Sequence, residues 1–161
     1  GRIAVLATEG TVRGGAYQRE ILRRMPQARV AAIPATLFVA LAEEGWTQGD
    51  VASATARRYL APVLAQPAAA PDVLVLGCTH FPPLADVIQR EAGPGIRIVD
   101  SAVTTAEALA DLLATRGLAA PEGERTTRRF LVTDGEERFT RVGPLFLGES
   151  IEPSAVERVD L

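Results

Sequence analysis

Short apolar runs alternate along this chain with stretches of helical length, almost without interruption. The clearest run is Asp72-Val73-Leu74-Val75-Leu76, bounded by Pro71 and Gly77, which reads as a fully buried parallel strand. Residues 3–7, 29–33, 96–99, 129–133 and 156–161 read as further strands. Residues 17–25, 37–44, 51–64, 84–91, 105–116 and 136–147 read as helices. Strands alternating with helices of this length imply right-handed βαβ units and a parallel sheet. The expected fold class is therefore α/β.

The punctuation agrees with that order. Gly10, Gly14 and Gly15 supply a loop after the first strand, Pro26 ends the helix that follows, and Pro34 breaks the chain after the second strand. Thr47-Gln48-Gly49-Asp50 offers cap chemistry for the long helix, and Pro62 is placed to shorten or bend its end. Residues 66–71, rich in Ala and Pro, connect into the strand before Cys78. Asp100-Ser101 can cap the helix read at 105–116. Residues 118–125, with Pro121 and Gly123, form the most loop-like stretch. A domain break near Asp100 is expected, because the tail past it carries only two strands.

Composition removes several classes of function. No run of about 18 apolar residues exists to span a membrane, and the first residues lack the series of a signal peptide. All 17 basic residues are Arg, so no lysine is present to hold pyridoxal phosphate as a Schiff base. Those Arg residues are scattered and stand near acids, which describes a solvated surface rather than a nucleic-acid patch. A single Cys argues against a disulfide framework and fits a reducing, cytoplasmic setting. One Cys and one His do not close a zinc site without several carboxylates.

That Cys and that His lie two apart, in Gly77-Cys78-Thr79-His80, directly after the apolar strand. A thiol set where a strand ends and a helix begins faces backbone N–H groups and the positive end of a helix dipole, a setting that favours thiolate. Ligands of open α/β sheets collect at that same edge. Gly77 allows close backbone approach, Thr79 adds a hydroxyl, and His80 can accept or donate a proton. The plainer alternative is an inert core thiol beside a structural histidine. The loop after the first strand, Ala7-Thr8-Glu9-Gly10-Thr11, offers hydroxyls and N–H groups to an anionic group, although such residues are common in any βα turn. It lacks the P-loop ending and the dinucleotide fingerprint. Glu43 and Glu44 close a short helix, where acids often do no more than solvate.

Gly77-Cys78-Thr79-His80-Phe81-Pro82, the Ala7-to-Thr11 loop with Gly15-Ala16-Tyr17 behind it, residues 37–46, and Val99-Asp100-Ser101-Ala102 resemble the glutamate racemase family. The likeness covers essentially the whole chain, and Phe130-Leu131-Val132-Thr133-Asp134 and Phe146-Leu147-Gly148 also fit it. It implies a three-layer sandwich over a parallel sheet, and conversion of L-glutamate to D-glutamate for peptidoglycan by two cysteines, without cofactor or metal. Cys78 is similar to the second of these cysteines. His80 resembles the residue assisting it, and Thr8, Thr11, Thr79 and His80 resemble substrate-binding positions. Glu43 looks like an acidic residue near the active site, although the sequence departs from the family around Pro34-Ala35-Thr36.

The resemblance further implies that residues 1–100 form the family's second domain and that residues 101–161 return to a first domain. That first half, with the other cysteine, has no counterpart in this sequence, so the chain alone is expected to be inactive. The implied partner is the small-molecule substrate glutamate, with no nucleic acid and no membrane; a homodimer is one assembly it allows. An aspartate or hydantoin racemase relative, a non-catalytic domain binding a small acid or a protein, and a thiol-based hydrolase are the competing readings.

Overall fold

The computed structural model describes residues 1–121 and 128–160. Part of the loop read at 118–125 and the last residue of the terminal strand lie outside the described residues. The chain divides into two compact units, Gly1–Thr105 and Ala106–Leu161.

In the first unit the elements run β1 (Arg2–Ala7), α1 (Glu9–Gly14), α2 (Ala16–Arg24), β2 (Arg29–Pro34), α3 (Leu37–Glu43), α4 (Gly49–Leu64), β3 (Val73–Leu76), α5 (Ala85–Ala92) and β4 (Arg97–Asp100). The strands form one four-stranded sheet in the order β2-β1-β3-β4, and every pairing is parallel. The α/β fold expected from the alternation is the fold observed. The order matters for function. The chain leaves β1 toward one side, returns past it, and builds β3 and β4 on the other side, so the strand order reverses between β1 and β3. Crevices open at the carboxyl ends of the strands flanking such a reversal.

Helices cover both faces. Side chains alternate across a strand, and Leu74 and Leu76 of β3 point with Ala4 and Leu6 of β1 into one core. Phe38 and Leu41 of α3, Leu60 of α4, and Val87 and Ile88 of α5 close that core, and nearly all of these side chains are completely buried. Gly77 belongs to the opposite set, and an added Cβ there would come 2.9 Å from the Tyr17 ring of α2. The two flanking layers thus lie on opposite faces of the sheet.

Several expectations need correction. β3 is not fully buried: Leu74 and Leu76 are, while Val73 and Val75 are only partly covered. The stretch after β1 is no open loop but the six-residue helix α1, with the chain turning at Gly15 at φ 65°. Three glycines suggested a loop, yet Gly10 and Gly14 are held in helix while only Gly15 takes the left-handed conformation glycine favours. Pro62 does not shorten α4, which runs on to Leu64, the end read from the sequence.

At the amino-terminal edge Arg2 joins two strands. Its backbone N–H donates to Asp72 Oδ2 at 2.8 Å and its guanidinium to Asp72 Oδ1 at 2.6 Å. Those hydrogen bonds, the guanidinium's first, hold the Asp72 carboxyl below the ordinary aspartate range. On the outside of α2, Glu20 pairs with Arg23 and Arg24, which lower its carboxyl to about 2.

α6 (Ser101–Thr115) begins four residues earlier than the expected start at 105, because Asp100 Oδ1 accepts the Ala102 N–H at 2.7 Å and caps the helix there. The second unit contains β5 (Phe130–Val132), α7 (Glu136–Leu147) and β6 (Val156–Arg158). The two strands pair in parallel, Phe130 opposite Val156. Among its described residues Val142 and Ile151 are the buried apolar side chains, and Gly143 lets α7 approach Ile151, whose Cδ1 would stand 2.6 Å from an added Cβ.

Candidate functional site

The register of the central strands brings the two singled-out segments together. Leu6 of β1 lies opposite Leu76 of β3, and the ladder continues with the Gly77 N–H donating to Leu6 O at 2.7 Å. Thr8 and Cys78 are each two residues beyond that pair, so both leave the carboxyl edge at the point where the strand order reverses.

Cys78 is partly exposed while resting against the apolar core. As expected from the helix read at 84–91, several residues separate it from α5. A turn closed by the Phe81 N–H to Cys78 O, 3.1 Å, and a 3-10 turn at Pro82–Leu84 intervene before Ala85. Pro82 and Pro83 favour that stiff turn over earlier helix.

Within this turn His80 reaches across to α3. Its Nε2 lies 2.7 Å from Glu43 Oε1, with the His and Glu side chains 32% and 20% exposed. An ionised carboxylate only accepts, so with Glu43 ionised the contact has Nε2–H as its donor. Nδ1 is 3.5 Å from the Thr79 hydroxyl, too long for a strong hydrogen bond. The two segments that carry the pair are braced beneath it: Phe38 of α3 and Phe81 meet edge to face with centroids 5.4 Å apart. Both rings are fully buried.

On the β1 side, Thr8 and Thr11 turn their hydroxyls to each other at 3.1 Å. Thr8 occupies the N-cap of α1 without spending its side chain on a cap. Part of that service comes from elsewhere, since the Glu9 N–H donates to Thr36 Oγ1 at 3.3 Å. Thr36, the N-cap residue of α3, was not singled out as a site residue from the sequence. Its role has no local signal, because its partner lies 27 residues away.

The sequence thus gathered Thr8, Thr11, Cys78, Thr79, His80 and Glu43 as candidates. The structure sets Thr8 at the N-cap and Thr11 in the first turn of α1, puts Cys78, Thr79 and His80 on the turn leaving β3, and joins Glu43 to His80 by a direct hydrogen bond. Hydroxyls and a partly exposed thiol at one sheet edge suit a small anionic ligand and a proton transfer. Among the described residues no group of three or more His, Cys, Asp or Glu is placed to hold a metal ion, and no helix is long and apolar enough to cross a membrane.

Residues 1–109 match the model of the family described as Asp/Glu/Hydantoin racemase. Among curated relatives, the chain is 44% identical to the glutamate racemase of Syntrophus aciditrophicus over 159 residues, which is 99% of this chain and 57% of that protein. It is also 44% identical to the glutamate racemase of Geobacter metallireducens, covering 92% of this chain and 54% of the relative. Among solved structures, the glutamate racemase of Francisella tularensis in complex with D-glutamate superposes with a TM-score of 0.86 at 28% identity, over 99% of this chain and 58% of that one. The Thermus thermophilus glutamate racemase in complex with beta-chloro-D-alanine gives 0.80 at 36% identity, over 100% and 57%. The chain therefore spans somewhat more than half the length of the relatives it matches.

Proposed function

Because this chain belongs to the Asp/Glu/hydantoin racemase family, we propose that it is the part of a glutamate racemase that supplies one of two catalytic thiols, Cys78. What supports this above all is the Cys78-Thr79-His80 turn at the reversal of strand order, with His80 bound to Glu43.

The chemistry follows from the acidity of the substrate. The Cα proton of an amino acid zwitterion is very weakly acidic, so a base must act on one face while an acid delivers from the other. A thiolate at Cys78 removes the proton; the C–H electron pair stays on Cα and spreads into the adjoining carboxylate. A thiol from the complementary half, on the opposite face, then gives its proton to Cα. In the reverse direction Cys78 is the donor. No oxidation occurs and no cofactor is required. Thr8, Thr11 and Thr79 bind the substrate carboxylates and the charge developing there. His80, oriented by Glu43, assists the thiol of Cys78.

In this reading residues 1–100 form one substrate-facing domain, and residues 101–161 belong with the half that carries the second thiol. The product, D-glutamate, supplies peptidoglycan synthesis in the cytoplasm. The names of the relatives favour glutamate over aspartate or hydantoins as substrate.

The test is Cα deuterium incorporation from D2O, followed separately from L- and D-glutamate. The chain alone leaves Cα undeuterated, and joined to the complementary half it exchanges from both enantiomers. Cys78→Ala in the joined protein abolishes turnover in both directions; retained racemisation removes the assignment.

A further inference from the structure

We propose that Tyr59 is a positioning residue for the Glu43–His80 pair, its hydroxyl holding the start of α3 so that the far end of that helix presents Glu43 to the imidazole. The inference rests on the reading of that pair as the group assisting Cys78.

α3 has seven residues, a length at which a helix has almost no stability of its own. Its first N–H groups need acceptors from outside. The N-cap residue, Thr36, does not provide one with its side chain, because its hydroxyl accepts from Glu9 of α1 instead. The acceptor comes from α4: the Leu37 N–H donates to the Tyr59 hydroxyl at 3.1 Å. A rigid rod of seven residues is only about 10 Å long. Fixing its first residue therefore fixes where its last one, Glu43, points.

The same ring is tied to the other member of the pair. Tyr59 meets Phe38 edge-on with centroids 5.2 Å apart, and Phe38 meets Phe81 at 5.4 Å. Phe81 directly follows His80 in the chain. Contacts from Tyr59 thus reach Glu43 through α3 and His80 through Phe81. Phenylalanine at position 59 would supply the same edge-on contact, so core packing does not account for the hydroxyl. The cap does.

The chain has a single histidine, so one imidazole N–H signal in a proton NMR spectrum reports on His80 alone. Its exchange with water measures how often the hydrogen bond to Glu43 opens. Tyr59→Phe keeps the ring and its packing and removes only the acceptor. It should speed that exchange by about two- to tenfold, the range for losing one neutral hydrogen bond, and Glu43→Ala should speed it at least as much. If Tyr59→Phe lowers the melting temperature but leaves the exchange unchanged while Glu43→Ala accelerates it, Tyr59 is merely structural and the inference is overturned with the pair intact. If Glu43→Ala also leaves it unchanged, the pair itself is not formed in solution, and both readings fall.

Discussion

His80 and Glu43 are separated by 37 residues in sequence and joined by a 2.7 Å contact between Nε2 and Oε1. That contact ties the turn after β3 to the end of α3. In the proposed proton transfer at Cys78, the ring nitrogen that carries the proton decides what the imidazole can do for the thiol.

Glu43→Gln keeps the size of the side chain and removes its charge. In the protein joined to its complementary half, kcat should fall by about 10²-fold or more, with KM for glutamate changing less. Steady-state kinetics in both directions give the comparison; an unchanged kcat would leave Glu43 as a surface acid only.

Thr8→Val removes the hydroxyl that faces Thr11 at 3.1 Å and alters little else, since Thr8 makes no side-chain cap. Affinity for D-glutamate in the joined protein should drop by about tenfold, as for one hydrogen bond to a charged group. Calorimetric titration measures it. Unaltered affinity would take Thr8 out of the binding set.

Gly77→Ala introduces a Cβ that would lie 2.9 Å from Tyr17 Cε2 and 3.1 Å from the carbonyl oxygen of Leu6. The ring can swing aside, but the β1 backbone cannot without loosening the sheet. A loss of about 1–3 kcal/mol is expected, as for overpacking in a core, and urea unfolding at neutral pH reads it.

Asp72→Asn tests the Arg2 tie through pH. The carboxyl is held below its ordinary value of 3.8 by the Arg2 guanidinium and backbone N–H, so it binds its proton less readily when folded than when unfolded. Its contribution is therefore complete well above pH 3.8 and fades as the pH falls through the lower, folded-state value. Asn should lower stability at neutral pH and flatten the acid limb of the curve of melting temperature against pH. Being exposed, the pair makes a modest contribution.

Periodicity and punctuation made the scaffold readable. The apolar runs at 3–7 and 72–76 read as strands and are the paired strands β1 and β3, and α7 has the bounds read from the sequence, Glu136–Leu147. α1 was hidden because glycines at 10, 14 and 15 advertise a loop, whereas only Gly15 needed glycine's conformational freedom. Cys78, His80 and the threonines stood out by chemical type beside a strand end. Glu43 entered through resemblance, since an acid closing a short helix carries no mark of the imidazole it meets. Thr36 and Tyr59 were illegible for a simpler reason: each caps a helix from 27 or 22 residues away, and local pattern cannot encode a distant acceptor.

Connectivity itself, rather than any one side chain, brings the segment after β1 and the Cys78 turn to the same edge. Because the polypeptide departs from β1 in one direction and comes back to build in the other, the connections leaving the two neighbouring strands part at that seam, where open α/β sheets place their crevice. The turns on either side can therefore change in sequence while the strand order that sets them there is left untouched.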